Sequence, residues 1–316
     1  MMKRSNNRLL RLLDLPVFSD GEELAFLMHV DLGLIKKFYR YSNKFYKRYD
    51  IKKSNNKVRE IRQPSKDLKA VQAWILRNIL DKLKPTSFAT AYIKEKNILS
   101  NVEPHSNNRY FILLDLEDFF PSISIGRVKK IFSLIGYSKK ASYILAMLAT
   151  CDNNLPQGAV TSPSLSNLIA AKLDRRIAGY TSRRNIIYTR YADDITLSSN
   201  NPVVLSQALK VILEIIKTEH FEINMDKLRI LGPRRRCAIT GLVKNNSYSK
   251  FGIGRNKKKR MRAIMHNFVF NLKKDDKYNS KESIVGWLNY LKDVDMESFN
   301  QMHKYWNQLI EKSKST

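Results

Sequence analysis

A chain of 316 residues with 57 lysines and arginines against 29 aspartates and glutamates carries a formal net charge of +28. Such an excess repels itself in the folded state unless an anionic partner neutralises it, which puts nucleic acid first and a membrane surface second. No apolar run approaches the roughly 20 residues a membrane helix needs, so no membrane partner is expected.

In chain order, the basic N-terminus M-M-K-R-S-N-N-R-L-L-R-L-L-D-L-P has its apolar residues interrupted by Arg11 and Asp14 before a signal-peptide core can form. With two cysteines, Cys151 and Cys237, at no zinc-type spacing, the expectation is a cytoplasmic protein whose thiols are small buried side chains. Leu68, Val71, Ile75, Ile79 and Leu83 recur at three- and four-residue steps and predict an amphipathic helix over 68–83. Y-F-I-L-L-D-L, residues 110–116, is apolar except for Asp115 and predicts a strand buried on both faces, stopped by Pro121. Pro163 in a first turn, with Leu165, Leu168, Ile169, Leu173 and Ile177 on one face, predicts a helix over 162–177. Strand-prone residues from Ile186 to Tyr191 and from Ile195 to Leu197 flank Asp193 and Asp194, which places two carboxylates near a hairpin tip. A further helix over 203–216 carries Leu205, Ala208, Leu209, Ile212, Ile215 and Ile216 along one stripe. Beyond Gly254 the run N-K-K-K-R-M-R leads into apolar residues at helical spacing, a basic helical subdomain. This order of elements, without repeat or linker, describes an α+β core.

An aspartate pair at a turn has a local explanation, since Asp side chains bond their own backbone and tolerate unusual dihedrals. The other reading is that two adjacent negative charges at a sheet end need a cation, most simply Mg²⁺, with Mn²⁺ suiting the same oxygens. Asp115 bears on the choice, because two strands of one sheet would bring three carboxylates together. Two cations held there would activate an attacking oxygen and stabilise a departing pyrophosphate. Glu117 and Asp118 lie close by; strand alternation would point Glu117 with Asp115 and Asp118 away. In L-P-Q-G-A-V-T-S-P, residues 155–163, Gly158 permits close backbone approach to a ligand and Gln157 offers both donor and acceptor.

These pieces stand in the motif order of the reverse transcriptases, which the chain resembles: R-E-I-R-Q-P at 59–64, L-D-L-E-D-F-F-P-S at 114–122, L-P-Q-G-A-V-T-S-P at 155–163, Y-A-D-D at 191–194, N-M-D-K-L at 224–228 and I-T-G-L at 239–242. The resemblance implies a right-hand polymerase, with an N-terminal helical extension over 1–50, fingers and palm over 51–243, and a basic helical thumb over 244–316. It implies Asp115, Asp193 and Asp194 as catalytic ligands of two Mg²⁺ ions. Lys227 matches a lysine that protonates or neutralises the departing pyrophosphate, although Leu228 stands where the family commonly has Thr. Arg59 matches an arginine that grips the triphosphate, a task its planar fork suits. Phe120 matches an aromatic beneath the incoming sugar that rejects a ribose 2′-OH; plain core packing is its other reading. Gln157 and Gly158 match a loop facing template and incoming nucleotide.

Within that family the chain looks like a bacterial retron enzyme, on N-V-E-P-H at 101–105 and I-T-G at 239–241. Val102 replaces a usual Ala and Ile239 a usual Val. The resemblance implies an RNA-directed DNA polymerase that binds one structured noncoding RNA, uses dNTPs, and primes from the 2′-hydroxyl of an internal guanosine. Its product would be branched msDNA, trimmed of template by the host's ribonuclease H, and a separate effector protein would complete an anti-phage defence. Asn101 and His105 would touch RNA, although His105 alone also reads as a hydrogen-bonded structural histidine. Arg255, Lys257, Lys258, Lys259, Arg260 and Arg262 would bind RNA phosphates with steep salt dependence, against the alternative of a solvated helix face. Trp287 and Tyr290 read either as base-stacking platforms or as thumb core. The compact length raises the expectation that no ribonuclease H, maturase or endonuclease domain follows. Two alternatives stand beside this one: a diversity-generating or intron-type reverse transcriptase using a 3′-hydroxyl primer, and a nonenzymatic RNA-binding scaffold.

Overall fold

The structure, a computed structural model, describes residues 6–52, 58–245, 250–270 and 280–314, so the first five residues of the basic N-terminus lie outside it. Three short helices open the described chain: α1 (Asn7–Leu12), α2 (Gly21–Met28) and α3 (Leu32–Arg40). Each begins on a side-chain cap, Asn6, Asp20 and Asp31 respectively, which accepts from first-turn backbone N–H groups. Their buried faces, with Leu10, Leu24, Ile35 and Phe38, enter the main core rather than forming one of their own. An antiparallel ribbon follows, β1 (Tyr46–Lys52) with β2 (Val58–Pro64), exposed along most of its length.

Helix α4 (Lys66–Asn78) starts on the Ser65 cap and ends five residues before the apolar periodicity does. At Ile79 the backbone leaves helical dihedrals (φ −121°, ψ −61°) and tightens into a 3₁₀ turn, Leu80–Lys82, while Ile79 and Leu80 stay buried. Apolar spacing survives a change of helix type, so it locates the core side but not the helix end.

The central sheet has the order β4-β5-β3-β6, antiparallel throughout, from β3 (Tyr110–Asp115), β4 (Ile187–Tyr191), β5 (Asp194–Ser199) and β6 (Arg229–Leu231); a short helix α5 (Ile98–Val102) precedes it. Alternation along β3 sends Ile112 and Leu114 into the main core and Phe111 and Leu113 into a second one, which is the two-faced burial expected of it. Helices α6 (Ile125–Leu134), α7 (Lys139–Ala149), α8 (Ser162–Ser182) and α9 (Pro202–Thr218) pack the main core. The second core joins the other face of β3 to a small sheet, β7 (Ala238–Ile239), β8 (Leu242–Asn245) and β9 (Lys250–Gly252), and to α10 (Gly254–Val269), α11 (Lys281–Val294) and α12 (Met296–Lys314). This is the α+β architecture expected. Among the described residues no helix is long and apolar enough to cross a membrane, and Cys151 and Cys237 are both buried.

Candidate active site

The Tyr191↔Asp194 pairing leaves Ala192 and Asp193 as the two-residue loop of the β4–β5 hairpin. Ala192 lies at φ 58°, the positive value that the first loop residue of a twisted two-residue hairpin requires. On its other edge β5 sets Asp194 directly opposite Asp115, the last residue of β3. The chain leaving β3 is stitched to the turn: Leu116 N–H donates to the Asp193 carbonyl at 3.0 Å, and Asn224 N–H to the Asp115 carbonyl at 2.9 Å. Three carboxylates from two distant stretches of sequence thereby gather at one sheet end. Glu117 and Asp118 are both exposed, and Glu117 N–H continues the pairing beyond Asp115 by donating to the Glu222 carbonyl at 2.9 Å.

Crowding shows in the acid–base behaviour. Burial, then the charges of Asp193 and Asp115, push the Asp194 carboxyl up to about 7. Asp193 is raised too, by burial and by Asp115. Lys227 Nζ offsets part of this charge, donating to both oxygens of Asp115 at 2.8 and 2.7 Å. Three acidic groups at one sheet end, two with raised pKa values, are a donor set that a divalent cation would relieve, and hard oxygen ligands suit Mg²⁺. Among the described residues no three ligating groups converge into a ready-made cage.

A pH prediction follows. Asp194, raised to about 7, keeps its proton in the folded state where the unfolded chain has lost it. Its contribution to stability therefore falls as pH rises from the ordinary carboxylate range through 7, and a bound cation opposes that loss. The upward shift in melting temperature on adding Mg²⁺ is expected to be larger above pH 7 than below it, and Asp194→Asn should flatten that dependence. A shift of equal size at both pH values in the wild type would contradict the assignment.

Beneath the turn lies a buried polar network that the sequence did not disclose. Arg190, on β4, is fully buried, and its Nε and Nη2 donate to Asp174 Oδ1 and Oδ2 at 2.7 and 2.8 Å. Tyr188 and Thr86 hydroxyls complete the Asp174 carboxylate at 2.7 and 2.5 Å. Arg190 Nη1 donates to Asn167 Oδ1 at 3.1 Å and to the Ala192 carbonyl at 3.0 Å, so the guanidinium holds the β4–β5 turn from below. The signal that could have found it is a charged residue inside an otherwise strand-prone run, because charges are fully buried only when paired.

Around this centre, Arg59 is exposed on β2 and its positive charge is felt at Asp193, where it works against the rise in pKa. Phe120 is half-buried, its ring 5.5 Å from that of Phe119 and 6.3 Å from that of Tyr92. The Gln157 carbonyl accepts from Arg62 N–H at 2.8 Å, which pins the 157–158 loop to β2. Gly158 sits at φ 130°, and a Cβ there would come 2.8 Å from the Arg62 carbonyl oxygen. Gly158→Ala is expected to cost roughly 1–3 kcal/mol through backbone strain, read in urea unfolding, and to separate the loop from β2. A stability equal to wild type would remove that close approach from the account.

Asn101 and His105 require a correction as RNA contacts, because both are completely buried. His105 lies with Nδ1 2.6 Å from Ser198 Oγ and Nε2 2.9 Å from Thr189 Oγ1, and burial holds its pKa down to about 3. The Asn101 carbonyl accepts from Thr189 Oγ1 at 3.2 Å. The N-V-E-P-H element therefore braces β4 and β5 from within, which a sequence pattern cannot distinguish from a surface contact. On α10, Arg255, Lys259, Arg260 and Arg262 are exposed and Lys257 and Lys258 half-buried. Lys257 Nζ caps the Gly241 carbonyl at 2.8 Å, and the Arg262 guanidinium lies over the Tyr305 ring. Trp287 and Tyr290 meet edge-on at 5.8 Å beside Lys257, lining an open groove and packing partly against the second core.

Comparison with known proteins agrees with this geometry. A family model for reverse transcriptase (RNA-dependent DNA polymerase) matches residues 51–252. The retron Ec86 reverse transcriptase of Escherichia coli is 38% identical over 305 residues, covering 96% of this chain and 93% of that protein. The retron Ec73 reverse transcriptase of Escherichia coli is 29% identical over 285 residues, covering 84% and 88%. Among solved structures, telomerase from Candida albicans superimposes with a TM-score of 0.51 at 11% identity over 86% of this chain, which spans 61% of that one. At that identity the likeness is one of fold.

Proposed function

Given that this chain belongs to the retron reverse transcriptases, RNA-directed DNA polymerases, we propose that it binds one structured noncoding RNA and starts DNA synthesis from the 2′-hydroxyl of an internal guanosine. The product is branched msDNA built from dNTPs. Host ribonuclease H trims the template, and a separate effector protein completes an anti-phage defence. The observation that carries the chemistry is the convergence of Asp115, Asp193 and Asp194 at one sheet end. These residues would hold two Mg²⁺ ions, or Mn²⁺, which when bound supply charge stabilisation to the attacking and leaving oxygens.

The protein's own groups do the rest. Arg59 grips the triphosphate, Phe120 packs beneath the sugar, and the Gln157–Gly158 loop faces the template and incoming nucleotide. Lys227, seated among the carboxylates, is the cation available to neutralise the departing pyrophosphate. RNA binding draws on the net charge of +28, with Arg255, Lys257, Lys258, Lys259, Arg260 and Arg262 meeting phosphates in a thumb formed by 244–316. Affinity should fall steeply with salt.

The test is to express the protein with its native upstream DNA, extract nucleic acid, and size the DNA before and after ribonuclease and a 2′,5′-debranching enzyme. A discrete species whose mobility shifts on debranching is expected. Unbranched DNA would mean ordinary 3′-hydroxyl priming, and no DNA from an intact template would mean an RNA-binding scaffold.

A further inference from the structure

Residues 88–92, F-A-T-A-Y, run beside β4 as a parallel neighbour. Arg190 N–H donates to the Phe88 carbonyl at 2.9 Å and Thr90 N–H to the Arg190 carbonyl at 2.9 Å, with Ala89 opposite Arg190. Beyond that bridge the segment turns, and Tyr92 lies near enough to Asp193 to feel its charge. The segment is anchored by side chains that also hold the catalytic turn. Thr90 Oγ1 donates to Asn101 Oδ1 at 3.1 Å and to the Arg190 carbonyl at 3.0 Å. Asn167 Nδ2 donates to the Ala91 carbonyl at 2.8 Å, while its Oδ1 accepts from Arg190.

Tyr92 is the unusual member. Its backbone lies at φ 59°, in the left-handed region that bulky residues rarely enter and that persists only where the surroundings over-determine it. Held there, the side chain does not turn into the core: Tyr92 is 52% exposed, and its ring stands 6.3 Å from that of Phe120 at 49°. A phenol is a neutral donor at working pH, and the charges of Asp193 and Arg59 both reach this one. An exposed ring beside Phe120, with a donor hydroxyl within reach of the charges of Arg59 and Asp193, has the composition of a nucleotide-facing wall.

We propose that Tyr92 is the second wall of the incoming-nucleotide pocket. Its ring shares with Phe120 the contact on the sugar, and its hydroxyl donates to the triphosphate held by Arg59. A ribose 2′-OH must then clear two rings instead of one, which makes Tyr92 a specificity-determining residue. This rests on the reading that the nucleotide binds at Asp115, Asp193 and Asp194.

The full chain, extending a primer on an RNA template with the nucleotide concentration varied, tests it through two variants. Tyr92→Phe removes only the hydroxyl and is expected to raise the apparent KM for dNTP roughly tenfold, as expected for a lost hydrogen bond to a charged group, with kcat changed less than about twofold. Tyr92→Leu removes the ring and is expected to lower the preference for dNTP over rNTP by roughly tenfold as well. Both should melt at the wild-type temperature, because the side chain is outside the core. A KM unmoved by either variant, with discrimination unchanged in Tyr92→Leu, overturns the proposal. Asp193→Asn with Asp194→Asn separates the two readings. Synthesis surviving in that variant would sink the nucleotide site and Tyr92 together; synthesis lost there and normal in both Tyr92 variants would sink Tyr92 alone.

Discussion

Replacing Asp193 and Asp194 together by asparagine is expected to reduce DNA synthesis by at least roughly a thousandfold, the order expected when the charge stabilisation of both transferring oxygens is lost. RNA binding should be spared, because the charges removed are negative and belong to a metal site. The folded protein should be as stable as the wild type or more so at neutral pH. Asp194, raised to about 7 by burial and by Asp193 and Asp115, is ionised there only against its surroundings. Asparagine keeps the shape and removes the repulsion, so melting temperature and activity should move in opposite directions, a pattern expected of groups kept for function. Measuring both on one preparation separates a site from a structural role. Equal DNA yield would end the catalytic assignment, and a large fall in stability would indicate that the aspartates serve the fold.

The second large effect concerns Arg190. Arg190→Met is expected to cost on the order of 3–5 kcal/mol, the penalty for leaving one partner of a buried ion pair uncompensated. Asp174 would keep its Tyr188 and Thr86 hydroxyls but lose both guanidinium bonds, at a position where neither side chain touches water. Adding Asp174→Asn should return part of that stability, since it removes the stranded charge, and a double-mutant cycle in urea reads the coupling directly. Arg190→Lys should restore charge but not the bidentate geometry, and so remain well below wild type. The Ala192 carbonyl loses a donor in Arg190→Met, so catalysis should suffer even where the protein stays folded. A cost under about 1 kcal/mol, within the range of an exposed pair, would show that the network is not what holds the turn.

Much of the architecture was legible in one dimension because its signals are local. The stripe of α9 and the two-faced burial of β3 depend on side-chain period, and period is a property of consecutive residues. Boundaries were less legible: α4 ended early when Ile79 left helical dihedrals, and α8 ran on to Ser182. Within the predicted span the helix buries Asp174, whose partners on β4 and in the loop around Thr86 lie far away in sequence.

The chemistry divides along the same line. The sequence by itself determined the α+β class, the excess positive charge, the ordered motifs and the choice of three aspartates as candidates, because residue type and order are all that these need. Only the tertiary structure decided what those residues meet. It set Asp115 opposite Asp194, drew Lys227 onto Asp115, took Asn101 and His105 inside as braces, and stood the Tyr92 ring beside Phe120. Pairings between residues some hundred positions apart depend on strand register and on which buried charge finds which partner. Both are settled by packing across the whole core, and no window of sequence contains them.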